Sequence, residues 1–236
     1  MNDRRWDLSP AEAIAVQREL ASRVRCEDDF PSPRLIAGVD VSTSRGSEIG
    51  YAAIVVLSFP DLTIVEVAEA QMPLPMPYIP GLLSFREVPV ALAAYARLET
   101  QPDLLMVDGQ GRAHPRRFGI ACHLGVLLDK PAIGCAKSIL VGHHDAVALE
   151  RGSTAPLVHR HEVVGVAVRT KTKVNPVFVS CGHRIALETA VRWVLDCSRG
   201  YRLPEPTRQA HLASNAFRIK SGASRPPADS EPPPAP

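Results

Sequence analysis

The sequence predicts an α/β protein. A mixed central sheet, antiparallel through its first three strands and then parallel, is flanked by helices on both faces. Three runs of strand character follow one another across short links in the first third of the chain, and helical and strand runs alternate after them. Strands first and alternation later describe a sheet that begins as a meander and continues through crossover helices. The 236 residues are 45% apolar, enough for one ordinary core without disulfides or oligomer formation. The length itself allows one domain of good size or two small ones.

Ser9-Pro10-Ala11-Glu12 opens the first helix, with Ser9 as cap, Pro10 at the first helical position and Glu12 closing a capping box. Ile14, Val16, Leu20 and Val24 carry that helix to about Arg25. Leu35–Val41, Tyr51–Leu57 and Leu62–Ala68 read as strands, joined by links short enough for an antiparallel meander. A helix follows from about Ser84 to Leu98, then a short buried strand at Leu104–Val107. Phe118–Leu128 reads as a helix and Ala132–Cys135 as a strand. Val163–Arg169 and Val177–Val179 are further strands, Ile185–Cys197 a helix, and Thr207–Phe217 a last helix after Pro204 and Pro206.

One domain is expected over residues 1–220. Six of the 22 prolines fall between Pro226 and Pro236, so residues 221–236 read as a disordered tail. No run of about 18 apolar residues is present, so no membrane span is expected. The charged start, Met1 to Trp6, lacks the apolar core of a signal peptide. Five widely spaced cysteines without a C-x-x-C pair argue for a reducing, cytoplasmic compartment and against a structural zinc protein. The net charge is only +2. That sum conceals an acidic N-terminal part, with 7 Lys+Arg against 12 Asp+Glu in residues 1–70. It also conceals a basic segment at residues 151–184, with six cationic residues against Glu162 alone, which could track phosphates.

Two aspartates stand at the carboxyl ends of apolar strands, where sites form in α/β sheets: Asp40 after Ile36–Val39, and Asp108 after Leu104–Val107. A carboxylate there is costly to bury unless it is paired. If the first and fourth strands are neighbours, the two acids lie side by side, and a hard divalent cation with oxygen ligands is their natural partner. Glu87, on the helix after the proline stretch, is a third acid within reach of such a site. Metal-assisted hydrolysis of a phosphodiester is the chemistry this arrangement suits. Each acid taken singly could instead cap a turn or a helix.

Four long, ungapped motifs then identify the chain by resemblance. Met76-Pro77-Tyr78-Ile79-Pro80-Gly81-Leu82-Leu83-Ser84-Phe85-Arg86-Glu87 resembles the signature of the endonuclease V family, the deoxyinosine 3′-endonucleases. The run from Val107-Asp108-Gly109-Gln110-Gly111 through His114 to Gly125, the block Ile133–Ser138, and the block Gly200–His211 match in the same order. The resemblance covers roughly Arg34 to Phe217 and implies a ribonuclease-H-like fold, which places the two strand-end acids on adjacent strands.

The resemblance also implies roles. Asp40, Asp108 and Glu87 would hold Mg²⁺, with Mn²⁺ able to substitute. Lys137 would sit against the scissile phosphate or its attacking water, and His211 would order water or shuttle a proton. Pro77 and Pro80 stiffen a loop that presents Tyr78 and Ile79 as a wedge into the base stack. Gly81, Leu83, Gly109, Gly111 and Ile120 would line a pocket for the flipped hypoxanthine. Taken on composition alone, the same loop would pack on its own core with Tyr78 half-buried. Gln110 stands where the family commonly has His or Asn, and Cys122 where Ser is frequent. His114 is read as a turn or phosphate contact, His123 as structural, and His143, His144, His159 and His161 as solvated.

The expected activity is Mg²⁺-dependent hydrolysis of the second phosphodiester bond 3′ to deoxyinosine in DNA, initiating repair and leaving 3′-hydroxyl and 5′-phosphate ends. The expected partner is deoxyinosine-containing DNA, bound by a monomer without membrane contact. The alternatives are a ribonuclease acting on inosine-containing RNA and a non-catalytic binding module on the same fold. The latter should have lost an acid, and this chain keeps all three.

Overall fold

The computed structural model describes residues 6–44 and 47–222. The tail expected from residue 221 onward lies, from residue 223, outside the described residues, as does most of the Met1–Trp6 segment.

Eight strands form one sheet. In chain order they are β1 (Leu35–Thr43), β2 (Ile49–Ser58), β3 (Ile64–Pro73), β4 (Leu104–Val107), β5 (Ala132–Ala136), β6 (Thr154–His159), β7 (Glu162–Val168) and β8 (Val177–His183). The helices are α1 (Pro10–Ala21), α2 (Leu83–Tyr95), α3 (Ile120–Leu128), α4 (Leu187–Asp196) and α5 (Glu205–Lys220). Across the sheet the order is β3-β2-β1-β4-β5-β8-β7-β6. The β1–β2–β3 meander is antiparallel, and β1, β4 and β5 run parallel. The parallel part ends there, because β8, β7 and β6 continue antiparallel. This is the mixed, helix-flanked sheet of a ribonuclease-H-like fold.

The Ser9–Glu12 capping box forms, with Ser9 N–H donating to Glu12 Oε2 at 2.8 Å and Glu12 N–H to Ser9 Oγ at 3.3 Å. α1 stops at Ala21, four residues short of the expected end. β3 starts at Ile64 because Leu62 takes a left-handed turn conformation, φ 56°. β6 was not legible as a strand. It carries Pro156, which only an edge strand tolerates, and it joins β7 through Arg160 and His161, both at positive φ. Such a turn is normally advertised by Asn-Gly.

Two cores cover the two faces. Ala37, Val39, Ile54, Leu105 and Val107 pack with α2 and α3 on one side. Ile36, Val55, Leu104, Met106, Ile133 and Cys135 pack with α4 and α5 on the other. The alternation of strand side chains therefore decides where the strand-end polar residues go. Asp40, Asp108 and Lys137 each continue the set that faces α5. α5 reaches that face because Gly38 has no side chain, and a Cβ there would lie 1.8 Å from the Pro206 carbonyl.

Candidate active site

Val39 pairs with Val107 in the β1–β4 register, and Asp108 N–H donates to Val39 O at 2.9 Å, so Asp40 and Asp108 leave the sheet side by side. Each is about 8% exposed. Lys137, one residue past β5, places Nζ 2.6 Å from Asp108 Oδ2. His211 on α5 brings Nδ1 to 3.5 Å from Asp40 Oδ2, 3.9 Å from Asp108 Oδ2 and 3.3 Å from Lys137 Nζ. One ligand atom from each of Asp40, Asp108 and His211 lies within 4.8 Å of the others. Glu87 on α2 faces the same cleft of about 300 Å³, with Leu83 and Asn215 on its walls. Glu87 does not belong to that tight group of three.

The charges are unequal in kind. Burial pushes Glu87 up to about 8, and the nearby charges of Asp40 and Asp108 add to it against the pull of Arg86. Burial and the charge of Asp40 raise Asp108 to about 6 despite Lys137. Burial also acts against Asp40, but hydrogen bonds from His211 and Ser214 and the charge of Lys137 hold it below the ordinary carboxylate range. Three acids that cannot all ionise together are short of positive charge. Asp108 Oδ2 is buried against Lys137 Nζ, 2.6 Å away. Two adjacent carboxylates that face one cleft fit a hard divalent cation, which takes oxygen ligands.

A second tier of side chains, not anticipated from the sequence, fixes this group. Ser214 Oγ donates to Asp40 Oδ2. Asn215 donates from Nδ2 to the His211 carbonyl at 2.8 Å and accepts from Ser42 Oγ at 3.0 Å. Arg218, wholly buried, donates from Nε to Ser42 Oγ at 2.8 Å. His211, Ser214, Asn215 and Arg218 fall at i, i+3, i+4 and i+7, so a polar stripe on one helix face was the available signal. Arg202 donates to the carbonyls of Lys137 and Pro176 and so anchors the lysine-bearing loop.

The proline loop stands as expected for a presented tip. Tyr78 is 62% exposed, Pro77 and Pro80 are exposed, and Ile79 packs partly on Met76, Leu82 and Phe85 at the base. The pocket residues are less uniform. Leu83 lines the acidic cleft and Gly109 is half-buried, whereas Gly81, Gly111 and Ile120 are buried. Gly111 lies against β8, where a Cβ would meet Cys181 O at 2.2 Å, and its N–H donates to Ser180 Oγ at 2.9 Å. The Gly81 carbonyl accepts from Gln17 Nε2, His114 Nε2 and Arg116 Nη2 at 3.1, 3.0 and 2.7 Å.

His114 is therefore no phosphate contact. It is buried, its Nδ1 accepts from Arg116 N–H at 3.1 Å, and burial with the Arg116 charge lowers it to about 4. His123 is structural, packed among the rings of Trp6, Phe85 and Phe118. His159 Nδ1 accepts from Arg117 Nη1 at 3.0 Å and is not simply solvated.

A sequence model of the endonuclease V family matches residues 18–212. The chain belongs to the endonuclease V family. Members of this family are nucleases, and this chain is an enzyme of that kind. An endonuclease V from Dehalococcoides mccartyi is 56% identical over 209 residues, covering 89% of this chain and 94% of that protein. The crystal structure of a Streptomyces avermitilis endonuclease V is 42% identical and superposes with a TM-score of 0.88, over 92% of this chain and 96% of that one. A Ciona intestinalis endonuclease V is 30% identical with a TM-score of 0.77, over 91% of this chain and all of that one. A single-residue variant of that protein was crystallised in complex with a 23mer DNA containing an inosine followed by a ribo-adenosine.

Proposed function

We propose that this endonuclease V hydrolyses the second phosphodiester bond 3′ to deoxyinosine in DNA, with Mg²⁺ as cofactor and Mn²⁺ as a substitute. The supporting observation is the cluster of Asp40, Asp108 and His211 at one end of the sheet, with Lys137 at 2.6 Å from Asp108. Asp40 and Asp108 would hold the ion, with Glu87 completing the acidic wall and His211 beside them. A bound divalent cation supplies a Lewis acid and makes water a nucleophile near neutral pH.

The chain's own groups do the rest. Ser214 keeps Asp40 ionised and oriented. Lys137 presents a point charge where a phosphate oxygen gains negative charge. His211, exposed on one edge, can pass a proton to or from water at Nδ1. Water attacks phosphorus and the 3′ oxygen leaves, which yields 3′-hydroxyl and 5′-phosphate ends. Tyr78 on its stiff, exposed tip fills the stack vacated by a flipped base, and Leu83 with Gly109 faces that base. Residues 1–220 act as one domain and the protein works as a monomer. All five cysteines are free, in keeping with the cytoplasm. Among the described residues no helix is long and apolar enough to cross a membrane.

Mapping the nick on an end-labelled deoxyinosine duplex tests this reading. One metal-dependent cut is expected at the second bond 3′ to the lesion, and none from Asp40→Ala or Asp108→Ala. Full activity in either variant overturns the metal assignment. The ribo-adenosine beside inosine in the Ciona complex favours a second reading, cleavage of inosine-containing RNA. Competition between matched DNA and RNA strands decides between them.

A further inference from the structure

Gln110 bridges the two loops that carry the reacting groups. It lies two residues after Asp108, and its Nε2 donates to the carbonyl of Ser138, the residue after Lys137, at 2.7 Å. That bond fixes the amide, because the flipped rotamer would set carbonyl against carbonyl. The Oε1 atom is thereby committed as an acceptor. It is buried and accepts no hydrogen bond among the described residues. A buried acceptor without a donor is costly, and native structures keep one chiefly where a ligand or water completes it.

The chemistry of the substrate narrows what can complete it. The phosphodiesters and deoxyribose of an intact DNA strand offer acceptors only, so the donors on such a strand are base N–H groups. Gln110 sits between Gly109 and Gly111, beside the half-buried Gly109 and the Ile120 side chain that a Cβ on Gly109 would strike at 2.5 Å. Hypoxanthine carries N1–H where adenine has a bare acceptor. We propose that Gln110 is a specificity-determining residue, its Oε1 accepting the N1–H of the flipped base and its Nε2 holding the Lys137 loop. This rests on the deoxyinosine reading above. It assigns base discrimination to a side chain, in addition to any backbone reading.

The two ends of the amide separate by substitution. Gln110→Met removes both, whereas Gln110→Glu keeps the acceptor and loses the donation to Ser138 at neutral pH. Nicking is measured on duplexes carrying deoxyinosine or 6-methoxypurine deoxynucleoside, which has no N1–H. The wild-type preference for deoxyinosine in kcat/KM should fall roughly ten- to hundredfold in Gln110→Met, the size of one buried hydrogen bond. Gln110→Glu should keep that preference while kcat falls on both substrates. Equal losses on both substrates in Gln110→Met leave Gln110 as a positioning residue and overturn base reading. If Gln110→Met melts early, loss of the preference in Gln110→Glu overturns it as well. A wild-type enzyme that does not nick deoxyinosine at all refutes the functional reading instead.

Discussion

Glu87 offers a direct test of how the site handles its charge. In the metal-free protein its carboxyl is raised from the ordinary 4.5 to about 8 by burial, Asp40 and Asp108. The folded state therefore holds a proton that the unfolded state releases between those two values. A raised carboxyl makes stability fall as pH rises through that window. Glu87→Gln keeps the shape of the protonated acid and does not titrate. Relative to wild type, this variant should gain almost nothing at pH 4.5, about 3 kcal/mol at pH 7 and about 5 kcal/mol above pH 8. Urea unfolding at pH 5, 7 and 8.5 in chelator measures the difference. With saturating Mg²⁺ the order should invert, because the cation restores the ionised carboxylate to wild type alone. Wild-type and variant curves that run parallel across pH refute the argument, since the acid would then be neither desolvated nor crowded by its neighbours.

Three further outcomes follow from the same geometry. Ser214→Ala removes the donor to Asp40 and should raise the Mg²⁺ concentration for half-maximal nicking about tenfold to a hundredfold, with kcat at saturating metal largely kept. A metal titration reads this, and an unshifted midpoint contradicts it. Lys137→Met should lower kcat roughly a hundredfold to a thousandfold while KM changes little, because its charge matters most as the phosphate gains negative charge. Unchanged single-turnover rates would remove Lys137 from the chemistry. Tyr78→Ala should weaken binding to a deoxyinosine duplex by about tenfold, in line with loss of one base–aromatic stack, and leave undamaged duplex unaffected. Equal weakening of both, in a gel shift, argues against the wedge.

The site acids were legible because sheet physics leaves few choices. An acid at the end of an apolar run must reach a site, a partner or solvent, and period-2 alternation sends Asp40, Asp108 and Lys137 to one face. The long motifs added His211, which spacing alone could not join to strands far away in the chain. Ser214, Asn215 and Arg218 stayed hidden because a polar helix stripe ordinarily faces water. Its burial depends on α5 lying directly over Gly38, a long-range contact that local pattern does not encode. β6 was hidden for a related reason, since an edge strand carrying Pro156 lacks the apolar run that marks a central strand. His114 does open a turn, with Arg117 N–H donating to its carbonyl at 2.9 Å, but its buried ring is committed to the Gly81 carbonyl, which the local pattern did not show.

The charge pattern needs the same correction from local to spatial. Residues 151–184 look like one basic segment, but much of that charge is already used. Arg169 is buried and donates to the carbonyls of Val147, Ala148 and Val174. Arg184 pairs with Asp29 and Asp129 at 3.3 Å each. Lys171 and Lys173 are exposed at the far end of β7 from Arg160, so they do not form one track with it. The arginines that do converge come from elsewhere in the sequence. Arg112 and Arg117 both bind Glu162, at 2.7 and 2.8 Å, beside the exposed Arg160 on the β6–β7 turn. Two guanidiniums on one carboxylate leave net positive charge on the loop that follows Asp108. The register places Glu162 toward the end of the sheet away from Asp108, whereas Lys171 and Lys173 follow β7 at the end where Lys137 stands and are the cations of this segment placed to meet a phosphate strand. Salt dependence should accordingly reflect a few contacts and not the six cations counted along the segment.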